Sequence, residues 1–369
     1  MITHSAAWDA YPSTGYRPAV RVTAWGSSSL GPSVDVPVTE GWVLKDATQF
    51  PRAHALVTTA DTSLVPSTLA GVLTPFGGWL RIEWGYTDTA GATTYITIFD
   101  GPITRVSSDR PGGLIDIEAS DASVFASQKV PATDPAWDYV THWQAYNLAQ
   151  AAGQGWPLGV YGQNGYDYTA LTAEQAAIPI PTGYVWKAGQ SCWSVCELMC
   201  DLIGAEAFYN EQQKLILRPV PTIGAPVYSF STGEGGTLTG YQTVLERTYN
   251  AVYLAYANGV TGTWVDGYST GLMPTSIYGE YGLYETRDGT PTQQVANAAA
   301  KEYARRAKGT GRTATLRAVP VPWLEPGDTV NVDPDGQPSE QHIIQSVSIP
   351  LDLDVMTVTT RNAVFTGTL

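Results

Sequence analysis

The side chains with the most chemical potential in this 369-residue chain are three thiols. Cys192, Cys196 and Cys200 recur every four residues, so a helix would stack all three on one face. Three thiolates could bind zinc, but zinc sites draw ligands from two elements and add a fourth group. No histidine stands nearby in sequence, and Trp193, Met199, Leu202 and Ile203 flank the thiols. That company predicts small buried hydrophobes in a core. The odd total of 3 cysteines makes no disulfide framework.

Gly267-Tyr-Ser-Thr-Gly271 has the form of a G-x-S-x-G nucleophile elbow. That elbow works on a tight strand-to-helix turn that lifts the serine hydroxyl above a sheet. Here Leu272-Met-Pro274 follows, then Gly279 and Gly282, and none of this starts a clean helix. The histidine of a triad would have to be His342, on a predicted strand. His4, His54, His142 and His342 are scattered and form no H-E-x-x-H. Asp333 and Asp335 bracket Pro334 in what reads as an ordinary turn before it reads as a calcium loop. Gly233-Glu-Gly-Gly lacks the lysine and following helix of a phosphate loop. The sequence therefore predicts no enzyme, no catalytic residue, no cofactor and no metal.

The aromatic residues offer a different chemistry. Tyr166, Tyr168, Tyr184 and Trp186 lie in a Gly- and Tyr-rich stretch, 154–189. Tyr278, Tyr281 and Tyr284 recur in a second Gly-rich stretch. Exposed aromatics anchor protein interfaces or stack on sugars, and otherwise pack a loop onto its own domain. These seven are the interface candidates.

The elements that must position them are mostly strands. Trp79-Leu-Arg-Ile-Glu-Trp places Leu80, Ile82 and Trp84 on one face and Arg81 and Glu83 on the other. Arg17 to Trp25, Tyr95 to Phe99 and Leu114 to Ala119 keep the same period of two. Pro and Gly clusters separate them, as in a small barrel or sandwich. A helix is predicted from the Asp134 cap to about Ala152, and another from Ser191 to Ile203 with Gly204 as stop. Ala207-Phe-Tyr and Lys214-Leu-Ile-Leu-Arg then form a hairpin. Strands return after residue 226, interrupted by a helix, Pro291 to Lys308, with Thr290 as cap and Gly309 past its end. Val295, Ala299 and Tyr303, with Ala298, mark its apolar side. These shifts divide the chain into 1–128, 129–225 and 226–369.

Composition bounds the function. Charged residues are 15%, against about 25% in ordinary soluble domains, while Gly 37, Pro 25, Tyr 21 and Trp 12 fill the gap. A net charge of −14 argues against a surface that grips phosphate. It suits ordinary solubility or an acidic wall along which DNA slides. No basic, apolar leader opens the chain, and no apolar run approaches the roughly 20 residues that span a bilayer. The chain is thus expected to be made in the cytoplasm.

Short phrases spread over almost the whole length resemble the hub, or tail-tip, proteins of tailed bacteriophages, of the siphophage minor-tail type. They are Arg17-Pro-Ala-Val-Arg-Val, Gly41-Trp-Val-Leu-Lys-Asp, Leu80-Arg-Ile-Glu-Trp-Gly-Tyr and Phe99-Asp-Gly-Pro-Ile. The middle adds Ser194-Val-Cys-Glu-Leu-Met-Cys-Asp-Leu-Ile and the hairpin Glu206-Ala-Phe-Tyr-Asn to Lys214-Leu-Ile-Leu-Arg-Pro. The end adds Leu324-Glu-Pro-Gly-Asp-Thr-Val and Met356-Thr-Val-Thr-Thr-Arg. The resemblance implies an α+β, mostly β fold: two tudor-like β-barrels with an inserted α/β domain. It implies a homotrimer in which two barrels per chain imitate six-fold symmetry around a DNA channel, at the distal end of the tail in the virion. Its implied partners are the distal tail protein, the tape measure protein and other minor tail proteins. DNA would pass without specific binding, and the host envelope would be met indirectly. Fibre or peptidoglycan-degrading modules would be separate proteins. The alternatives are a receptor- or glycan-binding tip protein using an aromatic groove on 154–189, and a cell-wall hydrolase using Ser269.

Overall fold

The computed structural model describes Ile2, His4, Trp8 and residues 17–26, 32–65, 71–108, 113–135, 144–155, 166–180, 184–233, 236–245, 249–265, 279–287, 292–308, 312–334 and 339–365. Seven strands come first: β1 (Arg17–Gly26), β2 (Val34–Asp35), β3 (Glu40–Asp46), β4 (Ala53–Thr59), β5 (Gly78–Thr87), β6 (Thr93–Ser108) and β7 (Ile115–Ser120). The period-two pattern decides their faces. On β5, Leu80, Ile82 and Trp84 are fully buried while Arg81 is exposed. Burying each such side chain contributes about 1.5–3 kcal/mol. β6 changes neighbours midway, pairing β5 up to Pro102 and β7 from Ile103. Gly101 permits the switch: a Cβ there would lie 2.1 Å from the Ser120 carbonyl oxygen.

The middle of the chain folds as α1 (Ser123–Gln128), α2 (Ala145–Gly153), β8 (Tyr166–Asp167), α3 (Ala173–Ala176), α4 (Cys192–Ile203), β9 (Ala205–Tyr209) and β10 (Leu215–Pro219). The last third holds β11 (Tyr228–Ser231), β12 (Leu238–Leu245), β13 (Ala251–Tyr256), β14 (Thr261–Val265), β15 (Gly282–Arg287), α5 (Gln293–Lys308), β16 (Arg312–Ala318), β17 (Thr329–Asp333), β18 (Glu340–Pro350) and β19 (Met356–Phe365).

Among the described residues, thirteen strands form one continuous sheet. Its two ends repeat one wiring. The first runs β3-β4-β7-β6-β5-β1, and the second runs β12-β16-β19-β18-β17-β11. Along these two six-strand paths, taken in chain order, each strand has the neighbours of its counterpart; β2 on β1 and the β18–β3 ladder lie outside the match. One ladder differs: β5 and β1 are antiparallel, β17 and β11 parallel. The halves meet where Ser346–Pro350 of β18 pairs with Trp42–Asp46 of β3.

The fold is mostly β with an α/β mixture, as expected. The described pairings close no barrel, however. In the first half, the segment 34–46 comes nearest to closing a ring: β2 pairs β1, and β3 pairs β4. Pro37, which has no N–H to donate, sits in the gap between those two ladders. One hydrophobic cluster runs through both halves, from Val43 and Ile82 to Ile344, Val347 and Val358. Trp8 bridges them, edge-on to Tyr86 at 4.9 Å and to Trp323 at 5.9 Å.

Two further clusters belong to insertions. α1, α2 and α4 pack with β9 and β10 around Leu148, Trp186, Cys196 and Leu215. α5 packs on the sheet β14-β13-β15 around Val252, Leu254, Ala296 and Ala300. The second insertion, within the last third, was not expected. Its helix turns Ala296, Ala299, Ala300 and Ala304 inward and leaves Ala298 exposed. Of the expected apolar side, Ala299 is buried, Tyr303 packs against this cluster and Val295 against the middle one; Ala298 alone of the four is exposed. Val295 N donates to Thr292 Oγ1, so Thr292 caps the helix; Thr290, Pro291 and Gly309 lie outside the described residues. Asp134, expected as a cap, accepts from Ala188 N at 2.7 Å; residues 136–143, where that helix was expected to begin, lie outside the described residues, and the described part starts at Ala145. The stretch 154–189 is more than a surface excursion: β8 extends β10 as a parallel edge strand, and α3 begins with a Thr172/Gln175 capping box.

Candidate functional site

Among the described residues, a dense polar junction forms where three parts of the chain meet. The hairpin β9–β10 supplies Glu206 and Arg218, the first half supplies Arg52, and the last third supplies the turn Leu324-Glu-Pro-Gly-Asp. Glu206 Oε1 accepts from Arg218 Nε at 2.7 Å and Arg52 Nη1 at 3.1 Å. The Pro326 carbonyl accepts from the same two guanidiniums, at 2.7 Å and 2.6 Å. Both guanidiniums also lie over the Phe208 ring. Gly327 (φ 97) completes the fit, since a Cβ there would meet Arg218 Nη2 at 2.3 Å. Glu325 reaches Lys45 Nζ at 3.4 Å.

The hairpin's tip makes a second contact. Gln213 Nε2 donates to Asp100 Oδ1 at 2.7 Å, and Asp100 also pairs with Arg81 at 2.7 Å. Two of the phrases that carry the resemblance, Phe99-Asp-Gly-Pro-Ile and Leu324-Glu-Pro-Gly-Asp, therefore both contact one inserted hairpin.

The electrostatics follow from this geometry. Burial opposes the Glu206 charge, but Arg52 and Arg218 outweigh it and hold the carboxyl below its usual range. Burial lowers the Arg52 pKa, with Glu206 opposing. Burial also opposes the Glu325 charge, yet Lys45 leads the cations that hold it down to about 2. Asp100 moves the other way, raised by burial against the pull of Arg81. A cavity of about 270 Å³ adjoins the junction, lined by Arg52, Asp121, Glu197, Glu206 and Arg361. Its charged lining, with Asp201 added, is four carboxylates and two guanidiniums. The arrangement fixes the relative placement of three chain segments.

The thiols sit as the sequence predicts. Cys192, Cys196 and Cys200 are buried on α4. Ser191 caps the helix, and Gly204 (φ 64) ends it. Burial pushes the Cys192 thiol up to about 11. Its hydrogen bond with Cys200, together with burial, pushes Cys196 well above the usual thiol range. All three are packed thiols, and at Cys192 and Cys196 the thiolate is disfavoured. His342 is fully buried, linked to Glu340 Oε2 at 3.0 Å and Thr360 Oγ1 at 2.7 Å. His4 stacks on Trp323, and His54 reaches Ser120 Oγ. Gly267, Ser269, Gly271, His142 and Asp335 lie outside the described residues.

The aromatic candidates separate. Tyr166 and Tyr168 are exposed and stack on each other at 5.7 Å. Tyr184 is half-buried, and burial pushes its hydroxyl up to about 12. Trp186 is 2% exposed and lies inside the middle cluster, its indole N–H donating to the Gln190 carbonyl. Tyr281 stacks on Tyr249 at 5.1 Å. Tyr284 is 67% exposed. Tyr278 lies outside the described residues. Sequence reasoning missed the ionic junction because its members are single charges in distant segments. The sparsity of charge was the available signal: with only 20 Lys and Arg, a cationic side chain between apolar strands has a partner to find.

No family model and no curated protein matches the chain. Solved structures do match. The tail protein from Neisseria meningitidis MC58 superposes with a TM-score of 0.63 at 11% identity, over 93% of this chain and 97% of that one. The 43 kDa tail protein of prophage MuSo2 from Shewanella oneidensis gives 0.62 at 11%, over 93% and 98%. The prophage tail protein gp18 from Listeria monocytogenes EGD-e gives 0.57 at 10%, over 93% and 94%. The fold is that of phage tail proteins.

Proposed function

We propose that this chain is a structural component of a phage tail, forming a trimeric hub at the distal tip around the DNA exit channel. Each chain would offer two similarly wired halves, residues 1–128 and 226–369, so that three copies present six similar faces to a six-fold tube. Residues 129–225 would lock the halves through the junction at Glu206. The distal tail protein and the tape measure protein are the partners this reading implies.

The observation that carries it is the repeated strand wiring, β3-β4-β7-β6-β5-β1 against β12-β16-β19-β18-β17-β11. A closed three-fold ring needs a heterologous contact repeated around the axis. A chain with few charges and many aromatics is suited to burying such contacts. The acidic balance, net −14, favours passage of DNA over capture.

The test is copy number and position. Quantitative mass spectrometry of purified tails, with an antibody to the chain located by electron microscopy, should give three copies per tail at the tip. Six or more copies, or labelling along the tube, would refute the hub.

A further inference from the structure

The two halves of the large sheet agree residue by residue, beyond the order of their strands. β6 skips Thr104 against β7, where Ile103 faces Ala119 and Arg105 faces Glu118. β18 skips Gln345 against β19 in the same way, where Ile344 faces Thr360 and Ser346 faces Thr359. Laying one irregularity on the other carries the match outward through each ladder. Ala55, which faces Ala119, then corresponds to Ala314, which faces Thr360. Val43, which faces Ala55, corresponds to Thr243, which faces Ala314. On the other side, Leu80 facing Gly101 corresponds to Val330 facing His342. One ladder has no counterpart. β18 runs on past its irregularity and lays Val347, Ser348 and Ile349 against Lys45, Leu44 and Val43, covering the outer edge of β3. The strand that corresponds to β3 is β12, and among the described residues it pairs with β16 and no other strand. The strand that corresponds to β18 is β6, and from Ile103 on it pairs, among the described residues, with β7 and no other strand.

An edge and a strand end of matching register are thus both left over, and their counterparts already meet within one chain. The edge is also unprotected. β12 carries no charge and no proline, and Thr239, Gln242, Thr243 and Val244 are exposed. At the sheet's other end β1 carries Arg17, Pro18 and Arg21, residue types that discourage further pairing. A bare edge strand presents N–H and C=O groups that an added strand satisfies. We infer that the end of β6, residues 104–108, in one copy of this chain pairs antiparallel with β12 of the next copy. The internal ladder sets the register: Val106, Ser107 and Ser108 lie opposite Leu245, Val244 and Thr243. Each chain then gives β6 to one neighbour and receives the other neighbour's β6 on β12, a heterologous contact of the kind a three-fold ring repeats. This ladder deepens the proposed ring and rests on it.

The test is disulfide trapping in assembled tails that carry Ser107→Cys and Val244→Cys in the full chain. The native thiols, Cys192, Cys196 and Cys200, are buried and stay out of the reaction. Oxidation should give a covalent trimer of this chain on non-reducing gels. Its yield should be about ten-fold that of Ser107→Cys with Thr239→Cys, a position roughly 16 Å further along the strand and beyond the reach of a disulfide. Ser108→Cys with Thr243→Cys, a second in-register pair at exposed positions, should close in the same way. A trimer yield no higher in register than out of it, or covalent capture of a different tail protein, overturns the inference. Copy number in the same tails separates the two claims. Three copies without the in-register trimer would remove this ladder and leave the ring, whereas a different copy number would remove the ring.

Discussion

The two halves of the large sheet share a wiring and solve its hardest step differently. In the first half β6 runs from one neighbour to the next at Gly101-Pro102, where missing atoms permit the crossing. In the second half β18 runs from β17 to β3 with irregular register against β19 at Gln341/Ile343 and Ile344/Ser346. Both strands shift register there, β6 against β7 at Ile103/Arg105 and β18 against β19, but of the two only β6 also leaves out a side chain. The order of neighbours is common to both, while the residues that permit it are not. That is why the halves do not read as a repeat in the sequence.

The largest effect should come from breaking what joins the halves. Glu206→Ala strands two guanidiniums in a poorly solvated site and should lower stability by about 3–5 kcal/mol in urea or guanidinium titrations. Next come matched truncations in corresponding strands. Ile82→Ala on β5 should cost about 2–4 kcal/mol, and Val330→Ala on β17 somewhat less, with a single unfolding transition in each. Two resolved transitions would mean that the halves do not share one core.

The junction should also set acid sensitivity. Glu206 and Glu325 have folded pKa values below their unfolded ones. Their contributions are therefore fully present above about pH 4.5 and fade as pH falls through the folded values, towards about 2 for Glu325. The stability gap between wild type and Glu206→Gln should be widest above pH 5 and narrow on acidification, as read by denaturant midpoints. A gap that stays constant would show that the Glu206 charge contributes nothing. The smallest effect is expected at Tyr284→Ser, within about 0.5 kcal/mol for the isolated chain, because an exposed side chain supports little of the fold.

Much of the architecture was legible. Alternation gave β5 and its buried face, and cap and stop residues gave α4 from Ser191 to Gly204. The hairpin around Asn210 was readable because turn residues separate two apolar runs. The rest is non-local. Nothing near Tyr166 signals that β8 extends β10 from about fifty residues away. On α5 the expected Ala299 and Tyr303 do pack, but Ala296, Ala300 and Ala304 also turn inward, against a sheet brought close by Gly262. Trp186 sits in a polar, Gly-rich context yet belongs to the middle core, since burial depends on what folds over it.

The central claim is that three chains place six similarly wired halves around one axis. A reconstruction of the tail tip by electron cryo-microscopy, without imposed six-fold symmetry, tests it most directly. The account predicts β3-β4-β7-β6-β5-β1 and β12-β16-β19-β18-β17-β11 alternating around the channel at steps of about 60°, as six positions shared by three chains require. A ring in which only one half of each chain faces the channel would contradict it.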